Sequence, residues 1–445
     1  MKKVSFQTLG CKLNFAETST IGRQFVEKGF QVVNNDERAD IYVINTCTVT
    51  QRAESDCRQL IRRILRKSPD AYIVVAGCYS QLHSEEIARI EGVDLILGSD
   101  QKFNLLEFAG DFKKNRVPKI ILSPFDNSDK IYQAYSSEIG GRTRAYLKIQ
   151  DGCDYTCSFC TIPRARGKSR SVPIDDVLNQ VKSIINEGRK EIVLTGVNVG
   201  DYGRKNNSSL FELMRLLDKI DGLERIRISS LEPNLLSKEM VDFILNSKKF
   251  CKHFHIPLQS GSNTILKSMR RRYNTESYQK IIDYINKSDP DTGIGVDVIA
   301  GFPGETDALF EETVSFLENL PFTYLHAFTY SERPGTPAID YHGRVEPAVR
   351  YSRNERLRSL GLKKKLNFIS RYLGQTLTVL FEDSNDGNYV SGLTSNYIRI
   401  SVKGDMSLVN MLRNVKITSI NGETCIGIIE EKIKSQERIP VITCS

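Results

Sequence analysis

The sequence predicts a three-part protein with an α/β body: an N-terminal Rossmann-like domain with a parallel sheet, a central partial (β/α)6 barrel, and a C-terminal all-β barrel of the OB-like sort. Three observations predict it. Strand-like apolar runs alternate with helix-length segments from residue 4 to about 346, as parallel α/β sheets require. The alternation pauses at a connection near residues 111–140, rich in charge and turn residues such as Gly140-Gly141 and the run 123–130. Beyond Gly374 the pattern changes to short runs of branched and aromatic residues separated by Gly, Asn and Asp. The expected parts are 1–115, 139–346, a basic linker helix over 347–373, and 374–440.

In the first part, Val4–Gly10, Ile41–Cys47 and Ala71–Cys78 read as strands. Between them, Asn14–Lys28 reads as a helix stopped by Gly29, and Glu54–Lys67 as a basic helix stopped by Ser68-Pro69. Cys11, Cys47 and Cys78 thus fall at or just past the C-terminal ends of three strands. Those ends share one edge of a parallel sheet, the edge where ligands bind, so the three cysteines are expected to converge. The second part supplies six strand candidates: Ala145–Gln150, Glu191–Gly196, Arg225–Leu231, His253–Leu258, Gly295–Gly301 and Tyr324–Tyr330. Six β/α units in about 190 residues suit a partial barrel better than a closed eight-fold one, which needs about 250. In the linker, Arg350 to Gly374 carries eight basic residues against Glu355, a net +7 beside +8 for the whole chain. The last part, with eight acids and seven basic residues, is nearly neutral.

Composition narrows the classes. No run approaches the roughly 20 apolar residues of a membrane-spanning helix. The start, MKKVSFQTLG, turns polar too early for a secretory segment. A cytoplasmic location is expected, where clustered cysteines bind metal more often than they form disulfides. The modest positive charge permits an acidic partner such as RNA.

The most informative segment is DGCDYTCSFC, residues 151–160, which places Cys153, Cys157 and Cys160 in a C-x3-C-x2-C spacing directly after a strand. Three thiolates on one loop can hold three irons of a [4Fe–4S] cluster and leave the fourth open to a substrate. A structural zinc would want a second ligand pair, and none follows.

At this motif, with Phe159 before its last cysteine, the sequence resembles the radical S-adenosylmethionine (SAM) superfamily. The contexts TLGCKLN, INTCTVT and AGCYSQ around Cys11, Cys47 and Cys78 resemble the auxiliary-cluster ligands of its methylthiotransferase family. Further similar segments run through essentially the whole chain: residues 147–171, 191–203, 226–234, 253–273, 297–306 and 330–338. They look most like the branch acting on threonylcarbamoyladenosine in tRNA. Residues 371–434 look like a TRAM domain, an RNA-binding β-barrel.

The resemblance implies a transferase with two [4Fe–4S] clusters that uses SAM twice. One SAM methylates sulfur associated with the auxiliary cluster. The other yields a 5′-deoxyadenosyl radical that removes hydrogen from adenine C2, opening it to methylthio transfer. The implied partners are the tRNA anticodon stem-loop carrying the modified adenosine and a flavodoxin or ferredoxin-type electron donor, with no membrane. Cys153, Cys157 and Cys160 would hold the radical cluster and Cys11, Cys47 and Cys78 the auxiliary one. Position assigns SAM contacts to Phe159, Thr195, Gly196, Asn198, Ser230, Glu232 and Gly301. RNA contacts are expected from Arg164, Arg166, Lys168 and Arg170, and from Lys363, Lys364 and Lys365; the run Arg270-Arg271-Arg272 is either a solvated face or RNA-facing. His255, near His253, reads as packed in the barrel rather than as a metal ligand. Cys57, Cys251, Cys425 and Cys444 read as bystanders. Related alternatives are methylthiolation of isopentenyladenosine or of a ribosomal-protein aspartate; a different class is a zinc-stabilised RNA-binding protein.

Overall fold

The computed structural model describes residues 1–430 apart from 49, 123, 125–129, 137–142 and 383–387 and the side chain of Arg52. Gly140-Gly141, most of the 123–130 connection, Cys444 and the end of the expected RNA-binding barrel lie outside the described residues. The chain divides into two compact units, residues 1–365 and 366 onward.

The first unit opens with a six-stranded parallel sheet in the order Gln31–Val33, Lys3–Thr8, Ile41–Thr46, Tyr72–Gly77, Leu95–Leu97, Lys119–Ile121. Ile41–Thr46 and Tyr72–Gly77 are buried at every residue, which is why they read as unbroken apolar runs. Helices Lys12–Glu27 and Gln51–Lys67 connect the strands. The second starts where the Thr50 hydroxyl accepts from the Ala53 N–H, a cap contributing about 1 kcal/mol. Glu54 in its first turn and Arg66 and Lys67 in its last complement the helix dipole. The connection after residue 110, expected to be irregular, supplies both the sixth strand and a short antiparallel strand, Ala134–Tyr135, beside Ala145–Lys148.

The barrel strands are Ala145–Lys148, Glu191–Thr195 and Arg225–Ile228, then His253–His255, Gly293–Ala300 and Tyr324–Thr329, parallel within each set. Single bridges at Ile226–Phe250 and Ser230–His255 join the sets. All six expected strands are present, and one apolar core runs between them and their helices. At their N-terminal ends Glu191 is fully buried with Arg227, at 3.0 Å, and Arg225, at 3.0 Å. Burial would push the Glu191 carboxyl up, but Arg227, Arg225 and Arg144 together hold it down to about 2.

The linker helix spans Pro347–Ser370. Much of its charge is neutralised within the first unit: Arg350 pairs with Glu332 (2.6 Å), Arg353 with Glu305 (2.7 Å) and Asp307 (2.6 Å), and Arg356 with Glu311. In the second unit, Thr376–Glu382, Tyr389–Thr394, Arg399–Lys403, Leu412–Asn421 and Thr424–Ile429 form a closed five-stranded barrel around Val379, Phe381, Ile400 and Val415.

Two cysteine sites and the cavity between their segments

Cys47 and Cys78 directly follow Thr46 and Gly77, which are register partners on adjacent strands, so the two cysteines leave the sheet at one level. The loop carrying Cys11 closes on them: a Cβ on Gly10 would lie 2.6 Å from Cys47 Cβ and 3.1 Å from its Sγ. Asn14 fixes this arrangement, donating to the carbonyl oxygens of Leu9 (2.8 Å) and Thr46 (2.9 Å). Its Oδ1 lies 3.8 Å from Cys11 Sγ and accepts from Arg166 Nη2 at 2.8 Å, while Arg166 Nε donates to Cys78 Sγ at 3.2 Å. The expected convergence is thus present. Cys47 and Cys78 are buried, whereas Cys11 as a residue is exposed. Surrounding protein still pushes the Cys11 thiol up, against the pull of Arg166.

The second site lies on the loop after Gln150–Asp151. Gly152 turns it with φ +70°, and a Cβ there would meet the Lys168 carbonyl oxygen at 2.1 Å, so only glycine fits. Cys153 N–H donates to the Gly167 carbonyl (3.0 Å) and Cys160 N–H to that of Cys157 (3.1 Å), curling the loop. Burial pushes the Cys153 thiol up to about 11 and the Cys160 thiol up to about 12, and the repulsion among the three cysteines adds to both. A bound cation would relieve that repulsion, so the donor set fits an iron cluster. Arg271, missed as a site residue because its partners are distant in sequence, donates to Cys157 Sγ at 3.1 Å and pairs with Glu232. The arginine run is therefore divided: Arg271 serves the site, Arg272 lies 3.8 Å over the Tyr155 ring, and Arg270 is exposed.

Of the expected SAM contacts, Asn198 has the sharpest signature. It is 3% exposed, and neither Oδ1 nor Nδ2 has a hydrogen-bond partner in the protein. A buried amide left this way is built for a ligand. Beside it Gln150 Oε1 accepts the Asn198 N–H (2.8 Å) and packs where a Cβ on Gly196 would sit. Thr195 spends its hydroxyl on the Val193 carbonyl. Ser230 lies 3.4 Å from His255 Nδ1. Glu232 reaches the cysteine loop through Arg271. Gly301 has a different reason for being glycine: a Cβ would meet Arg350 Cγ at 2.3 Å, and its N–H is bound by Glu305.

A cavity of about 240 Å³ lies between the cysteine-bearing segments, lined by Thr50, Phe159, Asp297, Phe328, Tyr330 and Arg333, among others. Thr50 follows Cys47 by three residues, and Phe159 adjoins Cys160. Arg333 ties the two halves here through Glu54 and Thr48 (2.8 Å), a link no sequence spacing could disclose. Asp297 accepts from His255 (2.7 Å) and His326 (3.1 Å). Burial alone would push its carboxyl up, but these two imidazoles hold it well below the usual range. His255 is therefore hydrogen-bonded as well as packed, and its ring nitrogen stands with Asp297 and His326 in a group with metal-ligand spacing.

Two expected RNA contacts need correction. Arg166 (2% exposed) and Arg170 (6% exposed) are buried, the latter against Asp100 at 2.9 Å, because both tie the cysteine loop to the N-terminal sheet. Arg164 is exposed but donates to the Pro334 carbonyl at 2.7 Å, and Lys364 donates to the carbonyls of Glu318 (2.7 Å) and Leu320 (2.9 Å). Lys168 and Lys363 remain exposed, and Lys365 is half-buried. Cys57, Cys251 and Cys425 are buried.

Residues 3–98 match the family described as Uncharacterized protein family UPF0004, and residues 147–317 match the Radical SAM superfamily. The chain is 37% identical to threonylcarbamoyladenosine tRNA methylthiotransferase MtaB of Bacillus subtilis, over 99% of this chain and 100% of the relative. It is 35% identical to tRNA-2-methylthio-N(6)-dimethylallyladenosine synthase of Sulfurimonas denitrificans, over 96% of this chain and 98% of that one. Among solved structures it resembles the radical S-adenosylmethionine methyltransferase TsrM of Kitasatospora setae, with a TM-score of 0.54 at 15% identity, covering 76% of this chain and 75% of the other; this likeness concerns the fold. With near-complete coverage at this identity, and with both cysteine sites built as described, the chain belongs to the radical SAM methylthiotransferase family.

Proposed function

We propose that this chain is a tRNA methylthiotransferase that converts N6-threonylcarbamoyladenosine, beside the anticodon, to its 2-methylthio derivative. The observation that carries the reading is the pair of three-cysteine sites, one on each α/β domain, whose segments border one cavity; the relatives named for the same substrate support its finer part. Cys153, Cys157 and Cys160 would hold the cluster that binds SAM, and Cys11, Cys47 and Cys78 the auxiliary cluster. When bound, these groups and SAM supply a carbon-centred radical and a methylated sulfur.

The chain's own residues do the rest. Arg271 hydrogen-bonds Cys157 and steadies the loop, and Asn198 offers its amide to the polar end of SAM. Phe159 and Phe328 wall the cavity; Phe328, 46% exposed, can stack on a base splayed from a single-stranded loop. Arg164, Lys168 and Lys363 are expected basic residues left exposed, and they would meet phosphates. A flavodoxin or ferredoxin-type protein would supply electrons, in the cytoplasm; no helix among the described residues is long and apolar enough to cross a membrane.

The test is nucleoside mass spectrometry of tRNA from a strain lacking this modification, with and without the chain expressed. The 2-methylthio derivative of threonylcarbamoyladenosine should appear with it. Methylthiolated isopentenyladenosine instead would move the chain to the sister substrate, and unchanged tRNA would overturn the proposal.

A further inference from the structure

Arg166 stands six residues beyond Cys160, at the end of the short helix Ile162–Arg166, yet its guanidinium serves the other cysteine site. Nε donates to Cys78 Sγ (3.2 Å). Nη2 donates to Asn14 Oδ1 (2.8 Å) and Glu17 Oε2 (3.1 Å), and Nη1 to Glu17 Oε1 (2.9 Å) and Asp151 Oδ1 (3.0 Å). All five of its N–H groups are spent. Two further buried cations share these carboxylates: Lys102 on Glu17 (2.5 Å), and Lys148 on Glu17 (3.1 Å) and Asp151 (2.9 Å). Arg170 is balanced separately by Asp100.

The cluster is therefore three cations against two carboxylates, with one positive charge left over in the interior. An unbalanced buried charge is costly unless an anion sits beside it. Cys78 Sγ accepts from Arg166 Nε within this group, and three thiolates on an oxidised [4Fe–4S] core carry one net negative charge, which closes the balance.

We propose that Arg166 is a positioning residue for the N-terminal cluster: it holds the Cys78 sulfur and supplies the matching positive charge, so that a residue of the radical SAM loop sets the auxiliary cluster's reduction potential. This rests on the two-cluster reading above. A cationic N–H···S bond stabilises the more negative, reduced form, so its loss moves the potential down. A network that only glued the domains together would leave the potential where it was.

The experiment is an EPR-monitored redox titration of full-length, anaerobically reconstituted protein. Arg166→Lys and Arg166→Met are each placed on two backgrounds. In one, Cys153, Cys157 and Cys160 are all Ala, leaving the auxiliary site alone; in the other, Cys11, Cys47 and Cys78 are all Ala. On the first background both variants should shift the midpoint to more negative potential, Met more than Lys because Lys keeps the charge. On the second, neither should shift it. An unchanged auxiliary midpoint with iron retained, or equal shifts on both backgrounds, overturns the proposal. Arg166→Lys preserves the buried charge balance and decides the matter if Arg166→Met does not fold. Absence of iron from the first background with Arg166 intact would instead sink the two-cluster reading itself.

Discussion

Replacing Asn198 by Leu separates a ligand-binding residue from a structural one. In the protein alone the Asn198 amide is buried with no hydrogen-bond partner for either polar atom. An unsatisfied buried polar group costs about 1–3 kcal/mol, whereas replacing it with an apolar group of similar branching is near neutral or stabilising. The free protein should therefore keep its stability within about 1 kcal/mol or gain some, with Gly196 and Gln150 nearby absorbing the change in shape. SAM binding should suffer, because a hydrogen bond to a charged ligand contributes about 1.5–3 kcal/mol, which predicts a Kd about 10- to 150-fold weaker. Thermal unfolding without SAM and equilibrium dialysis with SAM measure the two effects. A variant that unfolds much more easily while binding SAM normally would refute the reasoning, since that is the behaviour of an amide serving the fold.

Other expectations follow from the same contacts. Glu191→Gln strands Arg227, Arg225 and Arg144 and should cost about 3–5 kcal/mol in denaturant unfolding at pH 7. With its carboxyl at about 2 in the fold against an ordinary 4.5, Glu191 contributes about 3 kcal/mol. That stability is complete above about pH 4.5 and lost as pH falls towards 2; a wild-type and Gln pair whose difference does not shrink on acidification would contradict it. Gly152→Ala should cost iron at the radical site, measured by iron content on the background lacking the N-terminal cysteines, with normal loading as the adverse result. Cys157→Ala should abolish 5′-deoxyadenosine formation, whereas Cys47→Ala should damage methylthio transfer more than SAM cleavage; equal loss of both would remove the division of labour. Lys363→Gln should flatten the salt dependence of tRNA binding by about one unit of slope, and Lys364→Gln should act mainly on stability, because only Lys364 is committed to carbonyl oxygens.

Backbone pattern was the legible part of this sequence. The strands leading to Cys47 and Cys78 showed as apolar runs because both sheet faces are covered, and register then brought those two cysteines to one level. The first barrel strands were readable for the same reason, whereas the five strands of the second unit, exposed on one face, showed as branched and aromatic runs between turn residues. Side-chain commitments were not. Arg166 and Arg170 look like a basic RNA-facing stretch until Glu17, Asp151 and Asp100 appear beside them, and Glu17 lies 149 residues from Arg166. Arg333 and Glu54 are 279 residues apart. Charge in sequence records only the presence of a cation, and its partner is chosen by the fold. For Gly301, the contact with Arg350 was equally invisible in the local sequence.

One chain here carries two separate iron–sulfur sites. Iron and sulfide content after anaerobic reconstitution tests it most directly, for the wild-type chain and for the two triple Cys→Ala backgrounds. About eight irons with matching sulfide are expected in the wild type, and about four in each background. Zinc in place of iron, or about four irons in a wild-type chain that lose nothing when Cys11, Cys47 and Cys78 are replaced, would contradict it.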